Sequence, residues 1–255
     1  MGITADTGDV WGVKAADWAE FQEPTWRPAY AAIMARAEVG IGTKLLDVGC
    51  GGGGALTVAR ELGAEIHGLD ASRGLVAVAR SRLPGARIEV GNMLELPFRD
   101  ESFDVVSGFN SFQFADDVVA ALNEARRVCK KRGLVTMLVW GRRQDCDLLN
   151  VILPAIITPP IDDGPEYAEP EVMEDAMRAA GLSPTVSGDL DCEFTYPDSE
   201  IAWRAISSAP PLMRASESLG DEAVRKTLNA ALARFTHADG TVTHKNRLRW
   251  AFATR

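Results

Sequence analysis

Lys44-Leu45-Leu46-Asp47-Val48-Gly49-Cys50-Gly51-Gly52-Gly53-Gly54-Ala55 decides the fold. The apolar run over 44–48 reads as a buried strand, because it is short, continuous and stopped by glycines. A helix is expected over 55–62, ended by Gly63. Strand, acid, glycine loop and helix in that order make a nucleotide-site arrangement. Glycines let the backbone turn tightly and let a ligand approach the main chain. The helix behind them offers unpaired N–H groups at its N-terminus. Ligands of open parallel sheets lie beyond the carboxyl ends of the strands, and the loop falls at such an end.

Outward from this loop, strand and helix alternate at short intervals. Strands are expected over 65–69, 87–90, 103–107 and 134–140, and helices over 72–83 and 117–129. Such alternation means βαβ units and a parallel sheet. Before it, residues 1–43 are rich in aromatics and alanine, with a helix expected over 29–39. After it, the texture is less regular. Pro154, Pro159, Pro160 and Pro165 interrupt the chain, a helix is expected over 171–180, and 185–196 holds a strand. A helical stretch over 199–235 breaks at Pro210-Pro211, and 247–253 closes the sheet. The expected fold is α/β: a doubly wound, Rossmann-like, mainly parallel seven-stranded sheet with helices on both faces. Residues 1–43 would cap the site and 44–255 form the main domain. Within that domain, 141–235 would hold a mostly helical lid or insertion after strand 5, on the substrate side.

The 255 residues are 46% hydrophobic and 25% charged, with a formal net charge of -9. An acidic chain gains nothing electrostatically from nucleic acid or an anionic membrane, so neither is expected as a partner. Cys50, Cys129, Cys146 and Cys192 are spread without a CxxC pair or a Cys/His cluster, so no metal is expected. The first residues lack a basic start and an apolar core, which speaks against a signal peptide. The longest apolar candidate, 148–158, is broken by Asn150 and Pro154 and is too short for a membrane span. A cytoplasmic location with free thiols is the expectation.

The glycines also satisfy GxGxxG, a pattern shared with dinucleotide enzymes and, taken alone, with any flexible turn of an α/β protein. Asp70, 19 residues beyond Gly51 at the end of the second strand, narrows the reading. A carboxylate there can accept hydrogen bonds from both ribose hydroxyls. It can equally cap the helix that follows.

Leu45-Leu46-Asp47-Val48-Gly49-Cys50-Gly51 with His67-Gly68-Leu69-Asp70-Ala71-Ser72 resembles the class I S-adenosylmethionine-dependent methyltransferases, especially the small-molecule branch similar to the ubiquinone/menaquinone C-methyltransferases. Gly91-Asn92-Met93-Leu94-Glu95-Leu96-Pro97-Phe98 and Ser102-Phe103-Asp104-Val105-Val106 match that branch in order and spacing. The likeness covers roughly 10–140; beyond that only the general plan agrees.

The resemblance implies S-adenosyl-L-methionine as cofactor and S-adenosyl-L-homocysteine as product. Asp47 would reach the methionine amino group, with Gly49, Cys50 and Gly51 packed against the cofactor. Asp70 would hold the ribose, and Ala71 would lie against the adenine. Relatives carry an acid where this chain has Asn92, whose amide oxygen can still accept from the adenine amino group. Met93 would meet the ring, and Asn110 would lie near the methionine moiety. Gln113 stands where many relatives have His or Met facing the substrate. Relatives also carry bulkier residues in place of Gly52-Gly53-Gly54, which suggests extra loop freedom or a larger cofactor cavity.

No histidine is placed as a base: His67 lies in a strand, His237 and His244 come late, and each reads as structural. The sulfonium is already an activated donor, so proximity and orientation are expected to dominate, with Gln113 or Asn110 orienting the acceptor. Trp18, Phe21 and Trp140 are the candidate substrate contacts, and Trp26 and Tyr30 could close over the site. Core packing is the alternative for each of the N-terminal aromatics. Leu148, Leu149, Ile152, Leu153, Ile156 and Ile157 form an apolar helix suited to a lid or a homodimer contact. An apolar lid suggests a small hydrophobic acceptor.

The basic run Arg126-Arg127-Val128-Cys129-Lys130-Lys131-Arg132 reads as cations at a helix C-terminus. The cluster from His244 to Arg249 reads as a solvated edge. Two rivals are weighed. An NAD(P)-dependent oxidoreductase would share GxGxxG, but no Tyr-x-x-x-Lys pair follows the fourth strand and the SFDVV segment would have no role. A relative that binds the cofactor without methylating would fit the absent base and the Asn92 substitution.

Overall fold

The computed structural model describes residues 5–157 and 167–255. The prolines at 159, 160 and 165 lie outside the described residues. Seven strands form one sheet in the order β3-β2-β1-β4-β5-β7-β6. They are β1 Lys44–Val48, β2 Glu65–Asp70, β3 Arg87–Val90, β4 Phe103–Phe109, β5 Cys129–Trp140, β6 Ser183–Tyr196 and β7 Val242–Thr254. β1 to β5 are parallel, and β7 runs antiparallel between β5 and β6. The sequence order reverses between β1 and β4, which opens a crevice beyond their carboxyl ends.

The sheet is buried on both faces. Leu45 and Val105 join one core, with the helices α3 Arg27–Arg36, α4 Gly54–Glu61 and α5 Arg73–Arg82. Leu46 and Val106, one residue further along each strand, join the other, with α6 Val118–Val128 and α7 Val172–Ala179. Successive strand side chains point to opposite faces, so a continuous apolar run is what a doubly covered parallel strand requires. Ser72 caps α5 by accepting the Leu75 N–H, and Asp117 caps α6 by accepting the Ala120 N–H.

The C-terminal half departs from the expected pattern in three places. β7 is longer than the strand read over 247–253, and β6 begins two residues before the strand read over 185–196; they pair from Ser183↔Thr254 to Tyr196↔Val242, so 183–196 of the expected insertion belongs to the sheet. The cluster from His244 to Arg249 is therefore not a solvated edge. Residues 242, 244, 246, 248 and 250 are buried in strict alternation, while Lys245, Arg247 and Arg249 pair with Glu193, Asp191 and Glu174. The helical stretch is three helices, α8 Ser199–Ile206, α9 Pro210–Leu219 and α10 Asp221–Leu232. Pro210 opens α9 at the position where its missing N–H costs nothing, and Gly220 makes a second break that the propensities did not show.

The apolar segment after β5 is a π-helical turn, Leu148–Ile152, followed by a 3-10 turn, Leu153–Ala155. Leu148, Ile152 and Ile156 are buried in the same core as Trp203 and Trp250. Those three therefore serve packing rather than a free lid face. Among the described residues no helix is long and apolar enough to cross a membrane. The basic run splits: Arg126 and Arg127 end α6, but Lys130 and Lys131 belong to β5. Arg127 is locked by Glu124 and Asp100, and Lys130 by Asp104.

The N-terminal wall is a chain of short pieces. α1 Ala5–Gly12 and α2 Ala15–Asp17 lead into a π-helical turn, Trp18–Gln22, a 3-10 turn, Glu23–Trp26, and α3. α1 lies so close to the start of α5 that a Cβ on Gly8 would sit 2.8 Å from Ala71, and one on Gly12 2.9 Å from Ser72 Oγ.

Candidate active site

The carboxyl ends of β1, β2, β3 and β4 and the N-terminal wall enclose one cleft, with about 760 Å³ of non-atom space, open solvent included. From the sheet come Asp47, Gly49, Cys50, Gly51, Asp70, Ala71, Met93, Phe109, Asn110, Ser111 and Phe114. The wall contributes Trp11, Trp18, Glu23, Trp26 and Tyr30.

The loop after β1 is pinned from both sides. The N–H groups of Gly49 and Cys50 both donate to the Leu69 carbonyl, at 2.7 and 3.0 Å. Ser111 Oγ donates to the Val48 carbonyl at 2.6 Å. Gly49 has φ +74°, and a Cβ on it would run into Ser111. Both facts demand glycine.

Three acids converge here. Asp47 is buried, and its Oδ1 accepts from Ser107 Oγ at 2.7 Å. Burial pushes its carboxyl up to about 8, partly opposed by Ser107 and reinforced by Asp70 and Glu23. Asp70 is raised by burial and restrained by two backbone donors: Gly51 N–H to Oδ2 and Ser72 N–H to Oδ1, each at 2.8 Å. Ser72 itself caps α5, and Asp70 braces the turn before it. Each Asp70 oxygen retains a second lone pair for a ligand. The third acid, Glu23, is 4% exposed. Its Oε1 accepts from Gly52 N–H at 2.5 Å and its Oε2 from Arg82 Nη1 at 2.7 Å. Burial raises its carboxyl and Arg82 opposes the shift. Arg82 also donates to the Gly52 carbonyl at 2.9 Å and the Ala19 carbonyl at 2.6 Å. Among the described lining residues there is no Lys, Arg or His.

The sheet-side residues expected from sequence do come together: Asp47, Gly49, Cys50, Gly51, Asp70, Ala71, Met93 and Asn110, with Trp18 from the wall. Four others do not line the cleft. Asn92 is exposed, and its Oδ1 accepts the Leu94 N–H at 2.9 Å, closing its own turn. Gln113 stands behind Asn110, donating from Nε2 to Asn110 Oδ1. Phe21 packs under Arg204, whose guanidinium lies 4.2 Å from the ring centroid. Trp140 turns into the core, edge-on to Trp26 with centroids 4.8 Å apart and beside Phe194. Its place at a strand end suggested a ligand contact, but an aromatic cluster claims the ring.

Glu23 was missed. A lone glutamate before a proline carries no motif, and only the packing of the wall on the glycine loop brings it in. Gly52-Gly53-Gly54 held the available signal. A Cβ on Gly52 would lie 2.7 Å from Ala19 Cβ and 2.9 Å from Glu23 Oε2. One on Gly54 would lie 3.2 Å from Tyr30 Cε2. Gly53 has φ +87° and starts α4 against Leu83. The extra glycines therefore neither loosen the loop nor enlarge the cavity; the wall fills the space they leave.

Residues 46–137 match the family model described as a methyltransferase domain. A demethylmenaquinone methyltransferase of Bacillus velezensis is 36% identical over 125 residues, which are 46% of this chain and 52% of that protein. The chain spans about half the length of the curated relatives it matches. Among solved structures, the YcgJ protein of Bacillus subtilis superposes with a TM-score of 0.58 at 19% identity, over 89% of this chain and 98% of that one. A geranyl diphosphate C-methyltransferase of Streptomyces coelicolor, solved with Mg2+, geranyl diphosphate and S-adenosyl-L-homocysteine, gives 0.54 at 20% identity, over 89% and 79%. These two likenesses concern the fold. Sheet order, glycine loop and family match agree: residues 46–137 are similar to a methyltransferase domain and are set in the fold that the class I S-adenosylmethionine-dependent methyltransferases share.

Proposed function

We propose that the protein transfers a methyl group from S-adenosylmethionine to a small hydrophobic acceptor. The carrying observation is charge. Glu23, Asp47 and Asp70 converge on a cleft whose described lining holds no cation, and Arg82, from outside it, pairs with Glu23. Buried acids held mainly by neutral donors are costly to ionise, so the cleft is complementary to a ligand that brings positive charge. A sulfonium with an ammonium group fits this, whereas a pyrophosphate would be repelled.

When bound, the cofactor supplies a methyl group already activated for transfer. The chain's task is to orient and to exclude water. Asp47 and Asp70 face the cleft with free lone pairs, and Met93 and Ala71 offer apolar cover. Asn110 sits just after β4 at φ +52°, its Oδ1 held by Gln113, which leaves its amide N–H groups to orient an acceptor. Trp11, Trp18, Trp26, Tyr30, Phe109 and Phe114 give the cleft an aromatic lining that suits an apolar acceptor. The name of the Bacillus velezensis relative, a demethylmenaquinone methyltransferase, agrees with that preference.

The test has two arms. S-adenosylhomocysteine should raise the thermal midpoint and NAD(P) should not. Labelled methyl groups should pass from S-adenosylmethionine to one member of a panel of apolar metabolites. Stabilisation by the nicotinamide alone would select an oxidoreductase. Tight cofactor binding without transfer across the panel would select a non-methylating relative.

A further inference from the structure

The run Gly51-Gly52-Gly53-Gly54 and the acid it faces point to a binding residue on the N-terminal wall. We propose that Glu23 is a second acidic contact for the ammonium group at the methionine end of the cofactor, seated on the glycine loop and opposite Asp47. The proposal rests on the cofactor reading above.

Several independent features support it. Glu23 lines the same cleft as Asp47 and Gly51. A Cβ on Gly51 would come within 2.7 Å of Glu23 Oε1, so glycine at 51 is what lets the carboxylate reach the mouth of the loop. Each Glu23 oxygen carries one strong donor, Gly52 N–H or Arg82 Nη1. A carboxylate has about four acceptor sites, so each oxygen can take one more hydrogen bond, and a ligand ammonium in the cleft could supply it. Arg82 fixes the direction of the carboxylate through its ties to Ala19 and Gly52. The charge of Glu23 also senses Asp47 and Asp70, the two acids already assigned to cofactor contacts.

The ligand must be dissected to separate recognition from support. Binding of S-adenosylhomocysteine is compared by calorimetry with that of its deaminated analogue, the thioether of adenosine with 4-mercaptobutanoate. Glu23→Gln should weaken S-adenosylhomocysteine about 10-fold, equivalent to about 1.4 kcal/mol. It should leave the deaminated analogue within threefold of wild type, or tighter. Glu23→Asp keeps the charge against Arg82 and withdraws it by one methylene; it should show the same selectivity to a smaller extent, and it serves if the glutamine variant does not fold. Equal weakening of both ligands would make Glu23 a support of the loop and overturn the proposal, as would no change for either. Failure of the wild-type protein to bind S-adenosylhomocysteine would instead overturn the cofactor reading, and this proposal with it.

Discussion

The sheet wall of the cleft holds its groups on loops that follow four adjacent parallel strands. The N-terminal wall holds Trp11 on α1, Trp18 on a π-helical turn, Glu23 on a 3-10 turn and Tyr30 on α3. In the first, position follows from local chain geometry: a buried strand ends, glycine turns, a helix begins. In the second, position follows from docking, because small residues at 8, 12 and 51–54 let one segment approach another. Arg82 is the rivet between the walls, bonded to Glu23, Ala19 and Gly52 at once.

Damage to the sheet wall should be the most severe. Gly49→Val combines a left-handed backbone, φ +74°, with a collision against Ser111. It should cost about 4 kcal/mol or prevent folding, as read by denaturant unfolding. Damage to the rivet should be smaller but should reach the other wall. Arg82→Ala leaves Glu23 buried without its cation. It should cost about 3 kcal/mol, at the low end for a broken buried pair because Arg82 is partly exposed. Hydrogen exchange should then rise over 15–26 and leave β1 protected. Equal loss of protection in both segments would mean that the walls are one cooperative unit.

Asp47 should show a trade-off between stability and binding. Its carboxyl is held at about 8 in the fold against an ordinary 3.8. A raised folded value favours the folded chain fully below pH 3.8, and that contribution is lost as pH rises through 8. Ligand-free stability should therefore fall across this window, and Asp47→Asn should flatten the fall. The variant should be about 1 kcal/mol more stable than wild type at pH 8.5 and should bind S-adenosylhomocysteine at least about 10-fold more weakly. A steep pH dependence retained in Asp47→Asn would assign it to Glu23 or Asp70, which are shifted in the same direction.

The smallest effects separate ring from ring. Trp11→Ala removes cleft lining and should raise the acceptor KM about 10-fold, with kcat little changed. Trp140→Phe should leave both constants within about twofold, because that ring packs on Trp26 and Phe194 and costs only packing, about 1 kcal/mol. The reverse ranking would put the acceptor on the far side of Trp26.

The same contrast explains what the sequence could and could not disclose. Residues 44–48 and 87–90 coincide with β1 and β3, because a parallel strand writes its burial as a continuous apolar run. Asp47 and Asp70 were legible because the glycines fix where the strand ends. β6 was legible over 185–196, whereas β7 was legible only from 247, because Thr243, His244, Lys245 and Asn246 read as polar chain until β6 pairs with them. Trp140 misled because a strand end looks like a ligand position whichever way the ring turns. Glu23 was silent because its meaning lies in Gly52, 29 residues away in the chain and 2.5 Å away in space.

One titration tests the central claim most directly. S-adenosylhomocysteine is added to the wild-type protein at pH 7 in buffers of different ionisation enthalpy. The account predicts one site per chain and proton release on binding, because the ligand ammonium drives Asp47 from its protonated to its ionised form. Absence of binding, or saturation by NAD(P) in its place, would contradict it.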